Sequence, residues 1–363
     1  MKKPMIAAAG ALFTLALVLT GCGSAQVAPG AAGADRENTA VFDEINGLSG
    51  QERTDRLVEL AEEEGALTLY TSNTDMDALV TAFEETYEIE VDSTRANSES
   101  VLQKIMSEST AGSLKVDVVD NNFNENNVMA QAGLFADYQS EYRDAVREDG
   151  QLDGWTSTYV NAFVVGWNTD KIDGSTLPDE IKGFTDPKWK GKISLEIGDV
   201  DWYAAVTTHY LEQGMSQEEV DKMWADLAAN ATFEKGHSAM SDMLSAGKID
   251  IALSIYQHNV DGSAHDNGAP IAWKHEGKAV APVVTRPNGA GILATAEHPA
   301  AAMLFMDFLL TQGQDIQAEQ FRIGSVPRAE NPITGIDTVP VPLDEMTENV
   351  EYWDGRYRDL VGG

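Results

Sequence analysis

Apolar and polar positions follow the same order three times along the first third of the chain. Apolar runs at 66–70, 89–91 and 116–119 have the length of buried strands, and apolar residues recur at helical spacing within 75–87 and after Asn97 or Ser98. Each strand precedes a polar loop and a helix, which predicts a parallel sheet with right-handed crossovers. The loops at 71–74, 95–98 and 120–122 fall at strand carboxyl ends and are expected to line one sheet edge.

The remaining pattern predicts a second lobe and a return to the first. A β-rich apolar stretch at 158–167 is expected to carry the chain across, and strands at 283–285 and 291–294 to bring it back. Between them the pattern predicts helices at 199–211, 216–228 and 239–246 and a buried strand at 249–255. An apolar helix at 300–310, a proline-rich loop at 331–342 and an amphipathic stretch at 343–360 follow. The length of 363 residues favours two lobes of roughly 150 residues each.

The segment 184–203 contains the most informative junction. Asp186 and Pro187 predict a turn, 193–197 a buried strand that stops at Gly198, and a helix begins near Asp201. In open α/β sheets, ligands bind where strands end and helices begin. The segment therefore predicts part of a binding site in the second lobe.

The N-terminal segment has the features of an export signal. Lys2 and Lys3 precede a nearly unbroken apolar run at 6–20, and the sequence ending at Cys22 resembles the bacterial lipobox. We expect residues 1–21 to be a lipoprotein signal peptide, Cys22 to be lipidated, and 22–48 to be a flexible tether. The protein is then exported and lipid-anchored to the outer face of the cell membrane. Beyond the tether, Ser49 and Glu52 form a capping-box pattern that predicts a helix ending at Gly65.

Charge and cysteine content limit the partners and the chemistry. The formal net charge is −34, and loss of Lys2 and Lys3 with the signal peptide would make it two units more negative, −36. This charge disfavours nucleic acid and anionic lipid surfaces and favours a cationic over an anionic ligand, although a local anion site is compatible with it. Cys22 is the one cysteine, which excludes an internal disulfide.

Enzyme motifs are absent from the sequence. The chain has no G-x-G-x-x-G, no P-loop, no G-x-S-x-G and no H-E-x-x-H among its six histidines, so we predict no enzyme activity and no cofactor. The 59 acidic residues leave a carboxylate pair of the glycosidase type open, and a secreted enzyme remains an alternative of another class. A surface adhesin or sensor is a third functional hypothesis.

Several segments, in order, resemble one protein family. They are L-T-L-Y-T-S at 67–72, K-V-D-V-V-D at 115–120, Q-A-G-L-F at 131–135, V-G-W-N-T-D-K at 165–171, D-P-K-W-K-G-K-I at 186–193, I-D-I-A-L-S-I-Y at 249–256, and H-P-A-A-A-M-L-F-M-D-F-L-L at 298–310. The chain thus resembles substrate-binding proteins of bacterial ABC importers, in particular those similar to ferric-iron-binding proteins.

The resemblance implies an α/β, two-lobe, periplasmic-binding-protein-like (type II) fold with an interlobe ligand cleft. Lobe 1 is expected at 49–162 and 283–330, lobe 2 at 163–282, and a C-terminal loop and helix at 331–363. A monomer is expected to capture a small solute by hinge closure and to deliver it to an ABC permease. Two adjacent tyrosines bind iron in the family; Tyr256 matches the first, whereas Gln257 stands at the second. The family's histidine and glutamate would fall near Thr74 and Asn122.

Two ligand classes follow from these residues. Ferric iron or its complex is the first, with Tyr256 as the metal ligand, and a small organic cation such as a polyamine or thiamine is the second. Trp202, Tyr203 and Tyr256 could form an aromatic box for that cation. Asp199 could instead cap a helix, His237 and Ser238 could bind an anion or cap another, and 286–289 is expected to be a turn that presents Arg286. The predicted ligand-binding residues are Thr71, Ser72, Asn73, Asp120, Asn121, Asp199, Trp202, Tyr203, His237, Ser238, Tyr256 and Arg286.

Overall fold

The protein is described by a computed structural model over residues 36–362. Its strands are β1 (Ala66–Thr71), β2 (Glu90–Arg95), β3 (Val118–Asn122), β4 (Gln151–Leu152), β5 (Trp155–Asn168), β6 (Ile193–Glu196), β7 (Ala231–Glu234), β8 (Ile251–Tyr256), β9 (Ile271–Ala272), β10 (Val283–Ile292), β11 (Ile323–Gly324) and β12 (Thr338–Pro340). The predicted signal peptide at 1–21, Cys22 and the first part of the tether lie outside the described residues.

Helices surround these strands. They are α1 (Arg36–Asn46), α2 (Gly50–Glu64), α3 (Met76–Tyr87), α4 (Ser98–Ala111), α5 (Phe123–Gln131), α6 (Glu141–Asp144), α7 (Val200–Glu212), α8 (Gln217–Asn230), α9 (His237–Ser245), α10 (Gln257–Asn267), α11 (Pro299–Leu310), α12 (Gln312–Glu319), α13 (Leu343–Glu348) and α14 (Val350–Gly362). Within residues 36–362, none of them combines the length and apolar character needed to cross a bilayer.

The main strands form one curled sheet in the order β2-β1-β3-β10-β5-β8-β6-β7. β1 pairs in parallel with β2 and β3, and β6 pairs in parallel with β7 and β8, so each half of the sheet contains a parallel unit. β5 and β10 run antiparallel to their neighbours between these halves. We call the part built on β1–β3 the first lobe and the part built on β6–β8 the second lobe.

β5 is the strand that connects the two lobes. Its residues from Thr156 to Phe163 pair with β10, and its residues from Phe163 to Trp167 pair with β8. The predicted crossing at 158–167 is confirmed. β10 is one continuous strand instead of the two that the sequence predicts, and the predicted turn at 286–289 is wrong, because Arg286 pairs with Asn161 inside the ladder.

Each lobe has its own apolar core. In the first lobe, α11 is buried along its whole length and packs with α2 and α3 around Phe83, Phe305 and Phe308. In the second lobe, Trp202 and Trp224 lie in a cluster with the β6 and β8 side chains. The apolar helix predicted at 300–310 is thus confirmed as α11.

The N-terminal part of the described chain corrects the tether prediction. Residues 36–46 form α1, and its side chains Phe42 and Ile45 are buried in the core of the first lobe, so the tether does not reach residue 48. Hydrophobic burial orders this segment despite its small-residue surroundings. α2 begins as predicted, but the Ser49 side chain makes no capping hydrogen bond.

The C-terminal segment packs mainly on the second lobe. α14 buries Trp353 and Tyr357 against Tyr203 of α7, with ring centroids 6.0 and 5.3 Å from the Tyr203 ring. β12 pairs with β10, and Asn127 of α5 donates to Thr347 at 3.0 Å. The predicted C-terminal helix is therefore two helices, and the segment contacts both lobes.

Candidate functional site

A cavity of about 680 Å³ lies between the lobes at the carboxyl ends of the parallel strands. The first lobe lines it with residues that follow β1, β2 and β3, and the second lobe with residues that follow β6, β7 and β8. The lining includes Ser72, Asn73, Thr74, Arg95, Asn97, Ser98, Asn122, Asn124, Glu125, Glu196, Asp199, Lys235, Gly236, His237, Ser238, Tyr256, His258 and Asn259, with Tyr159, Asn161, Arg286 and Arg322 at the crossing.

Seven of the predicted site residues line this cavity. They are Ser72, Asn73, Asp199, His237, Ser238, Tyr256 and Arg286. Asp199 does not cap α7 with its side chain, as the sequence allowed, but lies 3.1 Å from Nε2 of His237. The structure therefore brings together predicted residues from both lobes.

Thr71, Asp120 and Asn121 lie beneath the cavity and not on its surface. All three are fully buried at the ends of β1 and β3, where the Thr71 hydroxyl donates to Asp120 at 3.0 Å. Asn121 donates to the Ser98 carbonyl at 3.2 Å. Thr71 is the last residue of β1, and Asp120 and Asn121 precede Asn122, the last residue of β3. Their side chains are packed within the protein, and the residues that line the cavity begin one position later, at Ser72 and Asn122.

Trp202 and Tyr203 also do not reach the cavity. They are 0% and 3% exposed and pack on Trp224, at 5.4 and 4.7 Å between ring centroids. The first turns of α7 are buried nearly all round, so a position near the helix start gives no exposure. The aromatic box predicted for an organic cation is therefore wrong.

Arg286 forms the polar centre of the lobe crossing. Its guanidinium pairs with Asp201, donates to the Tyr256 hydroxyl at 2.9 Å and to Asn288 at 3.0 Å, and lies 5.1 Å from the Phe163 ring centroid. Burial alone would lower the pKa of Arg286, but its interactions with Asp201, Tyr256 and Glu125 together outweigh burial and raise it. The Arg286 charge is thus fully committed within the protein.

Tyr256 is a neutral hydrogen-bonding group in this arrangement. Burial raises the pKa of its phenol, and the nearby Arg286 charge only partly opposes that effect. Burial acts in the same direction on Tyr159. In addition, residues 36–362 contain no group of three or more His, Cys, Asp or Glu side chains placed to hold a metal ion. A bare metal ion would therefore find few anionic ligands here.

Three rings form a column along the second-lobe wall of the cavity. The Tyr256 ring stacks on His237 at 3.7 Å and lies 5.5 Å from His258, with interplanar angles of 16° and 19°. Burial alone would lower the pKa of His237, but Asp199 and Glu196 outweigh it and raise the pKa. Burial lowers the pKa of His258 well below its usual range. The lowered pKa favours neutral His258, whereas the raised pKa favours a positive His237, which is paired with Asp199.

Arg95, Asn97 and Asn122 belong to loops that the sequence predicted to line one sheet edge, and they line the cavity, although they were not among the predicted ligand-binding residues. The sequence missed another group of lining residues, which are Asn124, Glu125, Tyr159, Asn161, Glu196, Lys235, His258, Asn259 and Arg322. The polar residues after Tyr256 were the signal that could have found two of them, His258 and Asn259. Lys235 follows β7, a strand of four residues without the clear alternation of buried and exposed side chains that would have allowed its prediction.

Buried Asp120 should make stability depend on pH. Burial raises its pKa to about 7, with the Thr71 hydrogen bond and the Arg322 charge opposing the rise, whereas an unfolded Asp titrates near ~3.9. The folded state thus binds the proton more tightly, and stability should fall as pH rises from about 4 to 7. In Asp120→Asn this loss should disappear, so its free energy of unfolding relative to wild type should rise by up to about 1.4 kcal/mol per pH unit in that window.

Urea unfolding at pH 5, 6, 7 and 8 measures this difference. Asp92→Asn, an exposed site on β2, is the matched control and should show no comparable trend. A difference between Asp120→Asn and wild type that stays constant over these pH values would contradict the assignment.

The family model for bacterial extracellular solute-binding proteins matches residues 115–334. A comparison with curated proteins finds no match. Iron-bound HitA from Pseudomonas aeruginosa is similar in structure, with a TM-score of 0.68 and 20% identity over 80% of this chain and 99% of that chain. AfuA from Actinobacillus pleuropneumoniae with bound fructose-6-phosphate has a TM-score of 0.68 and 20% identity over 82% and 99%.

Trichodesmium FutA (IdiA), solved with iron and citrate, has a TM-score of 0.63 and 17% identity over 82% of this chain and 99% of that chain. At these sequence identities, the structural similarity is evidence for the fold alone. Together with the crossing strands and the interlobe cavity, it confirms the predicted two-lobe, type II α/β fold.

Proposed function

Because the chain belongs to the bacterial extracellular solute-binding protein family, we propose that it is the receptor of an ABC importer, capturing a small polar solute between its lobes. The observation that carries this proposal is the cavity of about 680 Å³, to which every parallel strand end of both lobes contributes side chains. A solute that contacts both lobes would favour their closure, and the closed form would dock on the permease.

The hinge in this proposal is the crossing of β5 and β10. We place lobe 1 at 49–162 and 283–330 with α1 added, lobe 2 at 163–282, and the C-terminal segment at 331–363, because α1 packs into the apolar core of the first lobe and the second lobe has a core of its own. The receptor is proposed to act as a monomer.

The protein partners of the cleft carboxylates favour ligand binding without catalysis. Glu196 accepts hydrogen bonds from the backbone N–H groups of Gly198 and Gly236, and Asp199 lies against His237. Both are committed to protein partners, which argues against a pair of acids free for catalysis. The family and its structural neighbours are transport proteins, and we propose that this chain is not an enzyme.

A ferric complex with an anion is one candidate for this small polar solute, since HitA and FutA were solved with iron and FutA also with citrate. In such a complex the anion would supply the oxygen ligands that the protein lacks. Iron held by Tyr256 would give a visible phenolate charge-transfer absorption on addition of ferric citrate, lost in Tyr256→Phe. An absence of colour at saturating binding would exclude direct Tyr256 ligation.

A thermal-shift screen tests the receptor function. Sugar phosphates, carboxylates, inorganic anions, ferric citrate, polyamines, thiamine and neutral sugars are added to the mature protein. A compound at 100 times its dissociation constant should add ~2.7 kcal/mol of stability. If no class shifts the unfolding temperature and no compound compacts the protein, the receptor proposal fails.

Lipid anchoring through Cys22 completes the proposal. Thioether formation needs the thiol, so we expect Cys22→Ser, in the full precursor expressed in bacteria, to move the protein from the membrane to the soluble fraction or to leave it unprocessed. Fractionation and mass measurement check this, and Ser24→Ala is the control that should remain anchored. A Cys22→Ser protein that is still processed and lipid-modified would contradict the anchor.

A further inference from the structure

Two cations in the cleft have no acidic partner among residues 36–362. Arg95 is the last residue of β2 in the first lobe, and Lys235 follows β7 in the second; both are exposed and line the cavity. The other lining cations are paired: Arg286 with Asp201, and Arg322 with Asp75 at 2.7 Å. Among the described residues, the cleft therefore has one cation without an acidic partner on each of its two sides, although the protein as a whole is strongly negative.

The buried acids of the second-lobe wall have protein partners of their own. Glu196 accepts hydrogen bonds from the backbone N–H groups of Gly198 and Gly236, and Asp199 pairs with His237. Burial raises the pKa of Glu125 and favours its neutral form, although the Arg286 charge opposes this. Glu99 is exposed to solvent at the rim, where water screens it.

Each free cation lies beside the start of a helix that faces the cavity. α9 begins at His237 after Gly236, with no capping side chain and no acid in its first turn. α4 begins at Ser98 after Asn97, also with no capping side chain, although Glu99 lies in its first turn. The open N–H groups and helix dipole favour an anion at α9 in particular.

Buried amides in the same cavity have unused hydrogen-bonding atoms. Asn73 is 3% exposed, and its Nδ2 has no partner among the described residues. Asn161 is also 3% exposed, and its Oδ1 has no partner there. A buried polar atom without a partner is costly, so these two atoms point to a polar ligand that would satisfy them.

Asparagine dominates the neutral part of the lining. Each amide offers donors and an acceptor within one side chain, which matches hydroxyl groups that both donate and accept. The cavity volume also lies in the range of roughly 300–1,000 Å³ that is usual for small-molecule sites. The asparagines concerned are Asn73, Asn97, Asn122, Asn124, Asn161 and Asn259.

From these observations we infer that the solute is a phosphorylated polyhydroxy compound, such as a sugar phosphate or polyol phosphate. This inference rests on the proposed receptor function and names its solute class. The phosphate lies at the N-terminus of α9, where Lys235 and the Ser238 hydroxyl contact it. Arg95 approaches it from the first lobe on closure, and the asparagines bind the hydroxyl groups.

Isothermal titration calorimetry of the mature protein tests the solute class. The probes are hexose, pentose, glycerol and inositol monophosphates, with inorganic phosphate, the matching neutral sugars, spermidine and ferric citrate alongside. At least one organic phosphate should bind about 100-fold more tightly than its neutral counterpart, because hydrogen bonds to a charged group are stronger than those to a neutral one. Raising the salt concentration should weaken this binding.

Charge-removing variants test the position of the phosphate. Lys235→Gln should weaken the organic phosphate at least about tenfold and leave the affinity of any neutral sugar unchanged. Arg95→Gln should weaken it in the same selective way. Both side chains are exposed, so the fold should persist, and Lys248→Gln, an exposed lysine of the second lobe away from the cavity, is the matched control.

The outcomes separate the inference from the receptor function. Binding of spermidine, ferric citrate or a neutral sugar without any organic phosphate would overturn the solute class and leave the receptor function standing. Equal phosphate affinity in Lys235→Gln and wild type would overturn the assigned position. If no probe binds and no compound in the thermal-shift screen compacts the protein, the receptor function itself fails.

Discussion

Replacing Arg286 with methionine is expected to destabilise the protein by about 3–5 kcal/mol, the cost of breaking a buried ion pair from one side. The side chains of Arg286 and Asp201 are 5% and 1% exposed. Without the guanidinium, the Asp201 carboxylate would retain the Trp202 backbone N–H, at 2.9 Å, as its hydrogen-bond donor. Tyr256 and Asn288 would lose a donor as well, so the crossing between the lobes would be weakened.

Urea unfolding followed by circular dichroism measures this effect. The double variant Arg286→Met with Asp201→Asn should recover much of the lost stability, because no charge then remains buried without a partner. Arg358→Met, which removes an exposed pair with Asp354 in α14, should change stability by at most about 0.5 kcal/mol. An Arg286→Met protein whose free energy of unfolding lies within about 1 kcal/mol of wild type would contradict the account of the crossing.

Gly289→Ala is expected to cost about 3 kcal/mol by forcing apart the two strands that join the lobes. Gly289 sits at the bulge where the β10 register against β5 shifts. A Cβ there would overlap the Thr156 carbonyl and come within 2.6 Å of Ser157 Cα and Thr158 N. These are backbone atoms of a central strand, so no side-chain rotation could relieve the overlap.

Gly355→Ala is the matched control for this prediction. Gly355 lies within α14, and a Cβ there would meet nothing within 4 Å. Alanine should therefore stabilise that helix by up to about 1 kcal/mol. Thermal and urea unfolding of the two variants would show opposite shifts, and equal stability of Gly289→Ala and wild type would mean that the strands separate easily at this point.

The alternation of elements could be predicted because local patterns determine it. The strands and helices from 66 to 131, the crossing at 158–167 and the helix at 300–310 agree with β1–β3, β5 and α11. Arg286 could not be placed in this way. Its neighbours Pro287, Asn288 and Gly289 favour a turn, but pairing with β3 and β5 on both sides holds them in a strand. Gly289 does not form a turn there; because it has no side chain, it allows β10 and β5 to approach closely.

The binding site was predictable to the level of strand ends but not of side-chain direction. The loop after β1 lines the cavity as expected, yet Thr71 lies beneath it and Ser72 on it. The prediction that Trp202 faces the ligand was wrong for a similar reason, because α7 is buried on nearly every side and its sequence therefore does not show which face points to the cavity. Lys235 was missed because its position depends on pairing of the short β7 with β6, a contact that local sequence does not encode.

Small-angle X-ray scattering of the mature protein tests the central claim most directly. The claim is that a solute bound between the lobes closes them about the β5–β10 crossing. With the compound that gives the largest thermal shift, the radius of gyration should fall on saturation and return to its starting value when the compound is removed. An unchanged radius at full occupancy would show that the lobes form a rigid body, and would contradict capture by closure.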